Sequence, residues 1–396
     1  MKNVNLPSFS CPPTPWQRRT WRRALTIVSA FVLCLPAALV AQQYQQMNLV
    51  SATSDLNLKN PWGMARGTNT PWWVADNVTG VSTLYDGSGA KVPLTVTIPH
   101  TPGTATGSPT GIVFNGSTTD FVIPQGLTGA GLPGLFIFVS LDGTISAWNG
   151  GLPNRNLATQ VVPGSATSVL TGATIAQIGH DRFLYVADIR QGKIAVYDTN
   201  FKPVKVGKHA SDDEDDEHAF DDEDVPKGFV PFNIQNIGNN LYVTFAQQNQ
   251  AKNFVVFGAG LGFVDVFSPR GRLLMRLEHG DWFNAPWGLT LAPSDFGTFS
   301  HKILVGEFGS GEISAFNAVT GKWEGELRDK SNAVLSIGGQ GALWALAFGA
   351  GISASDPLNG PDNALYFAAG PNFPNGGLFG TLTPINPPDL IQGNDQ

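Results

Sequence analysis

The segment YVADIRQGKIAVYD (185–198) reads as a strand, a turn through glycine, and a second strand that ends in an aromatic residue followed by aspartate. Four other segments share this form: VADNVTGVSTLYD (74–86), FVSLDGTISAWN (138–149), LGFVDVFS (261–268) and LVGEFGSGEISAFN (304–317). A strand-turn-strand unit that recurs at intervals of tens of residues indicates a repeat architecture. The repeat therefore predicts the fold before any functional residue is considered.

The number of repeats is set by two features of each unit. The closing aromatic residues recur about every 59 residues on average and are Tyr85, Trp148, Tyr197, Phe267, Phe316 and, in a weaker segment, Phe379. A short apolar run precedes each unit: NPWGMA (60–65), SPTGIVF (108–114), GATIAQI (172–178), PFNIQNI (231–237), APWGLTLA (285–292) and ALWALAF (342–348). Such runs are typical of the inner strands of antiparallel blades, so six blades are expected.

The predicted fold class is all-β, a six-bladed β-propeller with four-stranded antiparallel blades. The chain has 46 glycines and 28 prolines, and no long amphipathic helical pattern follows residue 41. A β-sandwich would need about seven strands in about 100 residues, and a β-helix would need a shorter repeat. We predict one propeller domain over residues 42–385, with residues 44–58 supplying the strand that closes the last blade, and a disordered tail over residues 386–396.

Residues 1–41 have the order of an export signal. Four arginines (Arg18, Arg19, Arg22, Arg23) precede the apolar run 24–41, which ends in small residues. The alternative is an uncleaved membrane anchor, and a twin-arginine route is a weaker alternative to the general one. We predict cleavage after Ala41 and an exported product in the periplasm, outside the cell or at the cell surface, with no membrane span after removal of the signal.

Both cysteines, Cys11 and Cys34, lie in this leader, so the mature chain would be free of cysteine. Disulfides, thiolate metal sites and cysteine nucleophiles are then excluded. The leader holds five basic and no acidic residues, so its removal would change the formal charge from −7 to −12. A charge of that sign argues against nucleic acid as a partner.

Residues 209–228 are predicted to form an inserted acidic loop. Ten carboxylates lie between Asp212 and Asp224. A solvated loop is the favoured interpretation, because the spacing lacks the glycine of an EF-hand. Weak calcium binding is the alternative, and calcium is the only cofactor the sequence suggests; its ligands would be Asp212, Asp213, Asp215 and Asp216.

The longest motifs, in chain order, are LKNPWGMA, TPWWVADNVTGVSTLYDGSG, SPTGIVFN, FVPFNIQNIGNNLYVTFA, GFVDVFSPRG, NAPWGLTLAPSDFGTFS and ILVGEFGSGEISAFN. Together they resemble an uncharacterised family of exported bacterial β-propeller proteins. The resemblance spans about residues 47–382 and implies a six-bladed propeller with NHL-like repeats, but no established activity. Some members carry a C-terminal surface-sorting signal, and the ending PPDLIQGNDQ does not resemble one.

Polar and aromatic residues cluster where the inner strands are predicted to begin. Propellers bring these segments together around a central channel, and amides beside flat aromatic rings suit a sugar or another small polar ligand. The candidate binding residues are Asn60, Trp62, Thr110, Asn233, Asn284, Trp287 and Trp344. The alternative is structural, with NPWG and APWG as tight turns whose tryptophans pack between blades.

Four carboxylates end or follow the second strand of their units: Asp76, Asp142, Asp188 and Glu307. A ring of ligands is one interpretation. Turn capping is the favoured one, because carboxylates at such turns accept hydrogen bonds from nearby backbone amides.

The sequence shows no catalytic motif, neither G-x-S-x-G nor H-E-x-x-H. We therefore predict a monomeric, non-enzymatic binding or scaffold protein that presents its propeller faces to a glycan or an envelope protein. The alternative is a metal-dependent hydrolase or lactonase with a divalent cation on the propeller axis. Its first candidate ligands would be Asn60, Asn233, Asn284 and Glu307.

Overall fold

The computed structural model describes residues 42–101, 107–124, 131–207, 219–351 and 358–385, and these belong to one compact unit. The predicted leader, the tail and residues 209–218 of the acidic insert lie outside the described residues. Within them the structure is all-β, with six four-stranded antiparallel blades. The predicted six-bladed propeller is therefore confirmed.

The first three blades follow the chain in order. Blade 1 contains β2 (Pro61–Ala65), β3 (Trp72–Asp76), β4 (Val81–Tyr85) and β5 (Lys91–Thr97). Blade 2 contains β6 (Pro109–Phe114), β9 (Phe136–Ser140), β10 (Ile145–Trp148) and β11 (Thr159–Val162), with the hairpin β7 (Val122–Ile123) and β8 (Leu132–Pro133) inserted. Blade 3 contains β12 (Leu170–Ile178), β13 (Asp181–Asp188), β14 (Lys193–Tyr197) and β15 (Pro203–Val204).

The last three blades include the closure. Blade 4 contains β16 (Phe229–Ile237), β17 (Asn240–Gln248), β19 (Phe263–Phe267) and β20 (Leu273–Arg276), with β18 (Val255–Val256) paired to β17. Blade 5 contains β21 (Pro286–Leu291), β22 (Lys302–Glu307), β23 (Ile313–Asn317) and β24 (Trp323–Glu326), with one turn of 3-10 helix at Gly297–Phe299. Blade 6 contains β25 (Leu343–Phe348), β26 (Leu365–Ala369), β27 (Leu378–Ile385) and the N-terminal strand β1 (Gln43–Ser51).

The strand β1 closes the ring from the other end of the chain. It pairs antiparallel with β27, from Gln43 opposite Ile385 to Ser51 opposite Leu378. Its Tyr44 is 1% exposed and donates a hydrogen bond to the carbonyl of Phe296 in blade 5. The predicted closing strand is thus present, and it ties the two termini of the propeller together.

The core lies between neighbouring blades. The apolar residues of each inner pair of strands pack against the next blade, as where Trp73 of blade 1 stacks on Phe136 of blade 2 with ring centroids 4.4 Å apart. Each of the six inner strands contacts the inner strands of its neighbours, and β25 contacts β2, which completes the ring.

Every inner strand carries a bulge near its first residues. The register shifts between Pro61 and Met64 in β2 and between Pro286 and Gly288 in β21, and at the matching place in the other four. The backbones approach closely there: a Cβ on Gly63 would lie 2.3 Å from the carbonyl oxygen of Thr110, and one on Gly288 would lie 2.5 Å from that of Trp344. Glycine is required at these two positions because no side chain fits there, and we call this narrow part of the channel the glycine constriction.

Candidate functional site

The two ends of the propeller axis differ. We call the end where the six inner strands begin the closed face, and the end where they finish the open face. At the closed face, Trp62 stacks on Trp344 with ring centroids 3.7 Å apart, and Trp287 meets both rings edge-on. Phe232, Phe254 and Phe308 pack around this group, so aromatic side chains fill the axis at this end.

The tryptophans proposed for ligand binding are therefore interior residues. Trp62, Trp287 and Trp344 are 1%, 4% and 1% exposed. Each of these tryptophans is the second residue of its inner strand, and the ring of blades brings these positions together. The three side chains therefore cover one another. This matches the structural alternative, in which the tryptophans pack between blades, and a binding role for them remains a prediction.

The polar residues proposed beside them are held by structural hydrogen bonds. Asn60 Oδ1 accepts from Trp344 Nε1 at 3.0 Å, and Thr110 Oγ1 donates to the carbonyls of Val139 and Leu170. Asn233 Nδ2 donates to the carbonyl of Trp287 at 2.7 Å. Asn60, Thr110 and Asn233 thus link neighbouring blades, and their use by a ligand is not tested by this geometry.

Asn284 and Glu307 carry unpaired polar atoms at the closed face, as do Trp62 at Nε1 and Asp76 at Oδ1 within the described residues. The backbone amide of Asn284 donates to Glu307 Oε2 at 2.7 Å. Asn284 Oδ1 and Glu307 Oε1 are both buried and have no hydrogen-bond partner within the described residues. Glu307 is 0% exposed, and its burial raises the pKa of the carboxyl well above the ordinary range. Unpaired buried oxygens of this kind are uncommon and call for a physical explanation.

The other three carboxylates cap turns, as favoured from sequence. Asp76 Oδ2 accepts from the amide and hydroxyl of Thr83, and Asp142 Oδ1 accepts from the amide of Thr144. Asp188 Oδ1 accepts three amides, those of Val169, Arg190 and Gln191. Within the described ranges, no group of three or more His, Cys, Asp and Glu side chains is placed to hold a metal ion. The four aspartates proposed as weak calcium ligands lie outside those ranges.

The axis is open at the opposite end. Past the glycine constriction, which leaves a space of about 30 Å³, the channel widens into a pocket of about 750 Å³. We call it the axial pocket. All six inner strands line it, and its polar groups come from Arg66, Thr174, Gln177, Arg182, Gln235, Asn236, Asn239 and Thr290.

Arg66 stands at the end of β2 and is fixed in place by its neighbours. Its Nε and Nη2 donate to the carbonyl of Phe348 at 2.9 and 2.7 Å, and Nη2 also donates to that of Gly349 at 2.8 Å. The guanidinium carbon lies 5.4 Å from the ring centroid of Trp72, a cation-π contact. The positive charge is thereby held at the wall of the axial pocket.

Arg182 is the second residue of β13 in blade 3, and its side chain reaches blade 2. Its Nη1 donates to Asn115 Oδ1 at 2.7 Å and pairs with Asp120 at 3.1 Å. The same contact holds the pKa of Asp120 below its usual range. Asp120 therefore offsets part of the charge of Arg182, while no carboxylate is among the described residues that line the pocket.

Amide and hydroxyl groups complete the wall. Asn236 Nδ2 donates to the carbonyl of Ile175 at 2.7 Å, and its backbone amide donates to Thr174 Oγ1, so blades 3 and 4 are joined there. Gln235 and Thr290 are half-buried, and their side chains make no hydrogen bond within the described residues. These two side chains are therefore available to a ligand in the axial pocket.

Sequence reasoning missed this pocket. The signal was the polar residues at or just past the end of each inner-strand run, such as Arg66 after NPWGMA and Asn236 near the end of PFNIQNI. Those positions differ in chemistry from blade to blade, so a search for shared repeat features passes over them. No helix in the described residues is long and apolar enough to cross a membrane.

Comparisons with known proteins place the chain among uncharacterised relatives. No family model matches it. Uncharacterized protein R640 of Acanthamoeba polyphaga mimivirus is 34% identical over 232 residues, 58% of this chain, and the match covers 41% of that protein's length.

Among solved structures, virginiamycin B lyase from Staphylococcus aureus has 12% identity and a TM-score of 0.48, over 87% of this chain and 100% of that chain. The PQQ-bound aldose sugar dehydrogenase from Streptomyces coelicolor has 13% identity and a TM-score of 0.48, over 87% and 99%. Likenesses this remote carry no inference about activity.

Two further mimivirus proteins match most of the propeller. Uncharacterized protein R648 is 30% identical over 298 residues, 73% of this chain and 69% of that protein. Uncharacterized protein L690 is 30% identical over 342 residues, 85% of this chain and 83% of that protein. The chain therefore belongs to the protein family that includes R648 and L690 of Acanthamoeba polyphaga mimivirus.

Proposed function

We propose that the protein is a non-enzymatic binding protein that takes the end of a glycan in the axial pocket of the open face. The observation that carries the proposal is the pocket itself, about 750 Å³ in volume and lined by side chains from all six blades. This volume falls in the range of about 300–1,000 Å³ that is usual for small-molecule sites.

The wall has the chemistry that a sugar needs. Gln235 and Thr290 offer amide and hydroxyl groups for sugar hydroxyls, and the guanidinium of Arg66 forms part of the wall. Phe114 and Leu291 offer apolar surface for the C–H faces of a sugar ring. Because hydrogen bonds already hold Arg66 and Asn236, little side-chain entropy would be lost on binding.

The residues that line the axial pocket also favour a binding role over a catalytic one. No Asp, Glu, His, Ser, Cys, Lys or Tyr is among the described residues that line the axial pocket. A general acid, a general base and a strong nucleophile usually come from those residue types. The described lining can therefore orient a polar ligand, and it offers none of those seven residue types for proton transfer.

A panel of immobilised neutral and acidic glycans tests the proposal. The chain from Gln42 onward should bind at least one glycan class saturably, and titration in solution should give one site per chain. A purified, folded protein that binds no glycan in the panel at millimolar ligand would overturn it.

We propose further that the protein is exported and acts outside the cytoplasm, as the leader and the resemblance to exported bacterial propellers suggest. Terminal sequencing of the protein recovered from its native cells should then give Gln42 as the first residue. Recovery of the intact Met1 terminus from the cytoplasm would contradict export.

The second candidate function is the metal-dependent hydrolase, and one observation favours it. Asn284 Oδ1 and Glu307 Oε1 are unpaired buried oxygens in the same blade, and oxygen ligands suit a divalent cation such as calcium. Elemental analysis of protein purified without chelators would decide the matter. A stoichiometric metal in the wild type that is lost in Glu307→Gln supports the hydrolase, whereas a metal-free wild type removes it.

A further inference from the structure

A second pocket lies beside the axial pocket on the open face. It has a volume of about 320 Å³ and is lined by Gln177, Ile178, Asn239, Ser268, Pro269, Arg270 and Arg272. We call it the side pocket. Gln177 and Asn239 line both pockets, so the two spaces share one wall.

That shared wall is a built structure. Asn239 Oδ1 accepts from the backbone amide of Gln177 at 2.9 Å, and Asn239 Nδ2 donates to the carbonyl of Gln177 at 3.1 Å. The two bonds join the first turn of blade 3 to the first turn of blade 4. Asn239 adopts a φ of 66°, and its own amide donates to Asn236 Oδ1 at 2.8 Å, which holds the turn in shape. The wall therefore keeps the two pockets in a fixed relation.

Every charged side chain among the described residues that line the two pockets belongs to an arginine. Arg182 is paired with Asp120, and the amide of Phe220 in the acidic insert donates to the carbonyl of Gly271, between Arg270 and Arg272. Arg66 and Arg182 line the axial pocket, Arg270 and Arg272 line the side pocket, and no Asp or Glu is among the described lining residues of either. The guanidinium groups of Arg270 and Arg272 make no hydrogen bond or ion pair within the described ranges. This concentration of arginine stands out in a protein whose formal net charge is −7.

We propose that the glycan is anionic and extended, with its end in the axial pocket and its following sugar units crossing the Gln177–Asn239 wall to reach Arg270 and Arg272. This inference rests on the proposed function and specifies its ligand class. Guanidinium groups recognise carboxylates and sulfate esters through paired N–H donors, so a chain of uronic acid or sulfated sugars would present an anionic group to the arginines of both pockets. A neutral glycan would leave the arginines of the side pocket without a partner, and a single small anion would use only one of the two pockets.

Titration calorimetry with galacturonate oligomers of one to eight units, and with chondroitin sulfate oligomers of matched length, tests this. The test variant is Arg270→Gln with Arg272→Gln. The control is Lys193→Gln with Lys227→Gln, which removes the same charge from exposed residues near the closed-face ends of the strands. For long oligomers we expect the test variant to bind about tenfold more weakly at low salt, and the control to bind as the wild type does. Raising the salt concentration should reduce the difference in affinity between the test variant and the wild type, because salt screens exposed charges.

The length series separates this inference from the proposed function. Monomers should bind the test variant and the wild type equally, because they occupy the axial pocket alone. If long anionic oligomers bind the test variant and the wild type equally, the extended path is wrong and the axial site stands. The same conclusion follows if long oligomers bind the wild type no more tightly than monomers do. If neutral oligomers bind more tightly than both acidic series, the anionic assignment is wrong. The carboxylate and sulfate series show which anionic group is preferred.

Discussion

Glu307 illustrates how burial, and not only contact, sets the state of a residue. Its carboxyl is fully buried in blade 5, where one oxygen accepts the amide of Asn284 and the other has no partner within the described residues. Desolvation raises the pKa well above its ordinary value, and the charges of Glu312 and Glu326 raise it further. The neutral acid is then the favoured form in the folded protein over a wider pH range than in the unfolded chain.

This predicts a pH-dependent effect of Glu307→Gln. Because the folded pKa lies above the unfolded one, the wild type has the full contribution of this group below the unfolded pKa and loses it as pH rises through the folded pKa. In urea unfolding without added divalent cations, the variant should match the wild type near pH 4 and become relatively more stable toward pH 8. Glu223→Gln, which changes an exposed carboxylate that does not influence the pKa of Glu307, is the control and should show no such trend. If Glu307→Gln is less stable than the wild type by the same amount at every pH, the pKa of Glu307 is not raised in the folded protein.

Sequence identified many of the residues at the closed face but not the partners that they contact. Asn60 and Trp344 were singled out for a ligand, and in the structure they bond to each other across 284 positions of the chain. Such a pairing depends on the closure of the ring, which brings blade 6 beside blade 1. A single sequence gives the local strand pattern and does not give the direction of each side chain across that closure.

At the scale of elements, the inner strands were predictable and their bulges were not. NPWGMA and APWGLTLA mark β2 and β21 because apolar strand residues follow turn-forming ones. The bulge that shifts the register in each inner strand depends on the approach of the neighbouring backbone, which the sequence shows only as a recurring glycine such as Gly63 or Gly288. The axial pocket begins beyond those bulges, which is one reason that it was missed.

The closing strand β1 supplies a prediction at this scale. Tyr44 is buried against Phe296 and Phe299 of blade 5, whereas Met47 on the same strand is 56% exposed. Tyr44→Ala should lower the free energy of unfolding by about 3–5 kcal/mol, as other buried aromatic truncations do. Met47→Ala, the matched control, should change it by less than about 0.5 kcal/mol. Equal effects in denaturant titration would mean that β1 does not fasten blade 6 to blade 5.

The whole molecule is a ring with two unlike faces. Aromatic residues from four inner strands and from two further segments fill the axis at the closed face, and the glycine constriction separates them from the axial pocket. The fold class and blade number followed from the repeat, because each blade repeats the same strand order. The face that binds could not be found in this way, because function depends on the positions at which the blades differ.

The measurement that tests the account most directly is titration of a blocked axial pocket. Gln235→Trp fills the pocket from β16. Gln247→Trp is the control, since Gln247 lies near the end of β17, toward the closed face. Both variants should keep the melting temperature of the wild type within a few degrees. With the glycan that binds most tightly in the panel, we predict that Gln235→Trp loses at least 100-fold in affinity, roughly 2.7 kcal/mol, while Gln247→Trp binds normally. Unchanged binding by Gln235→Trp, or loss of binding by Gln247→Trp alone, would contradict a ligand site at the open face.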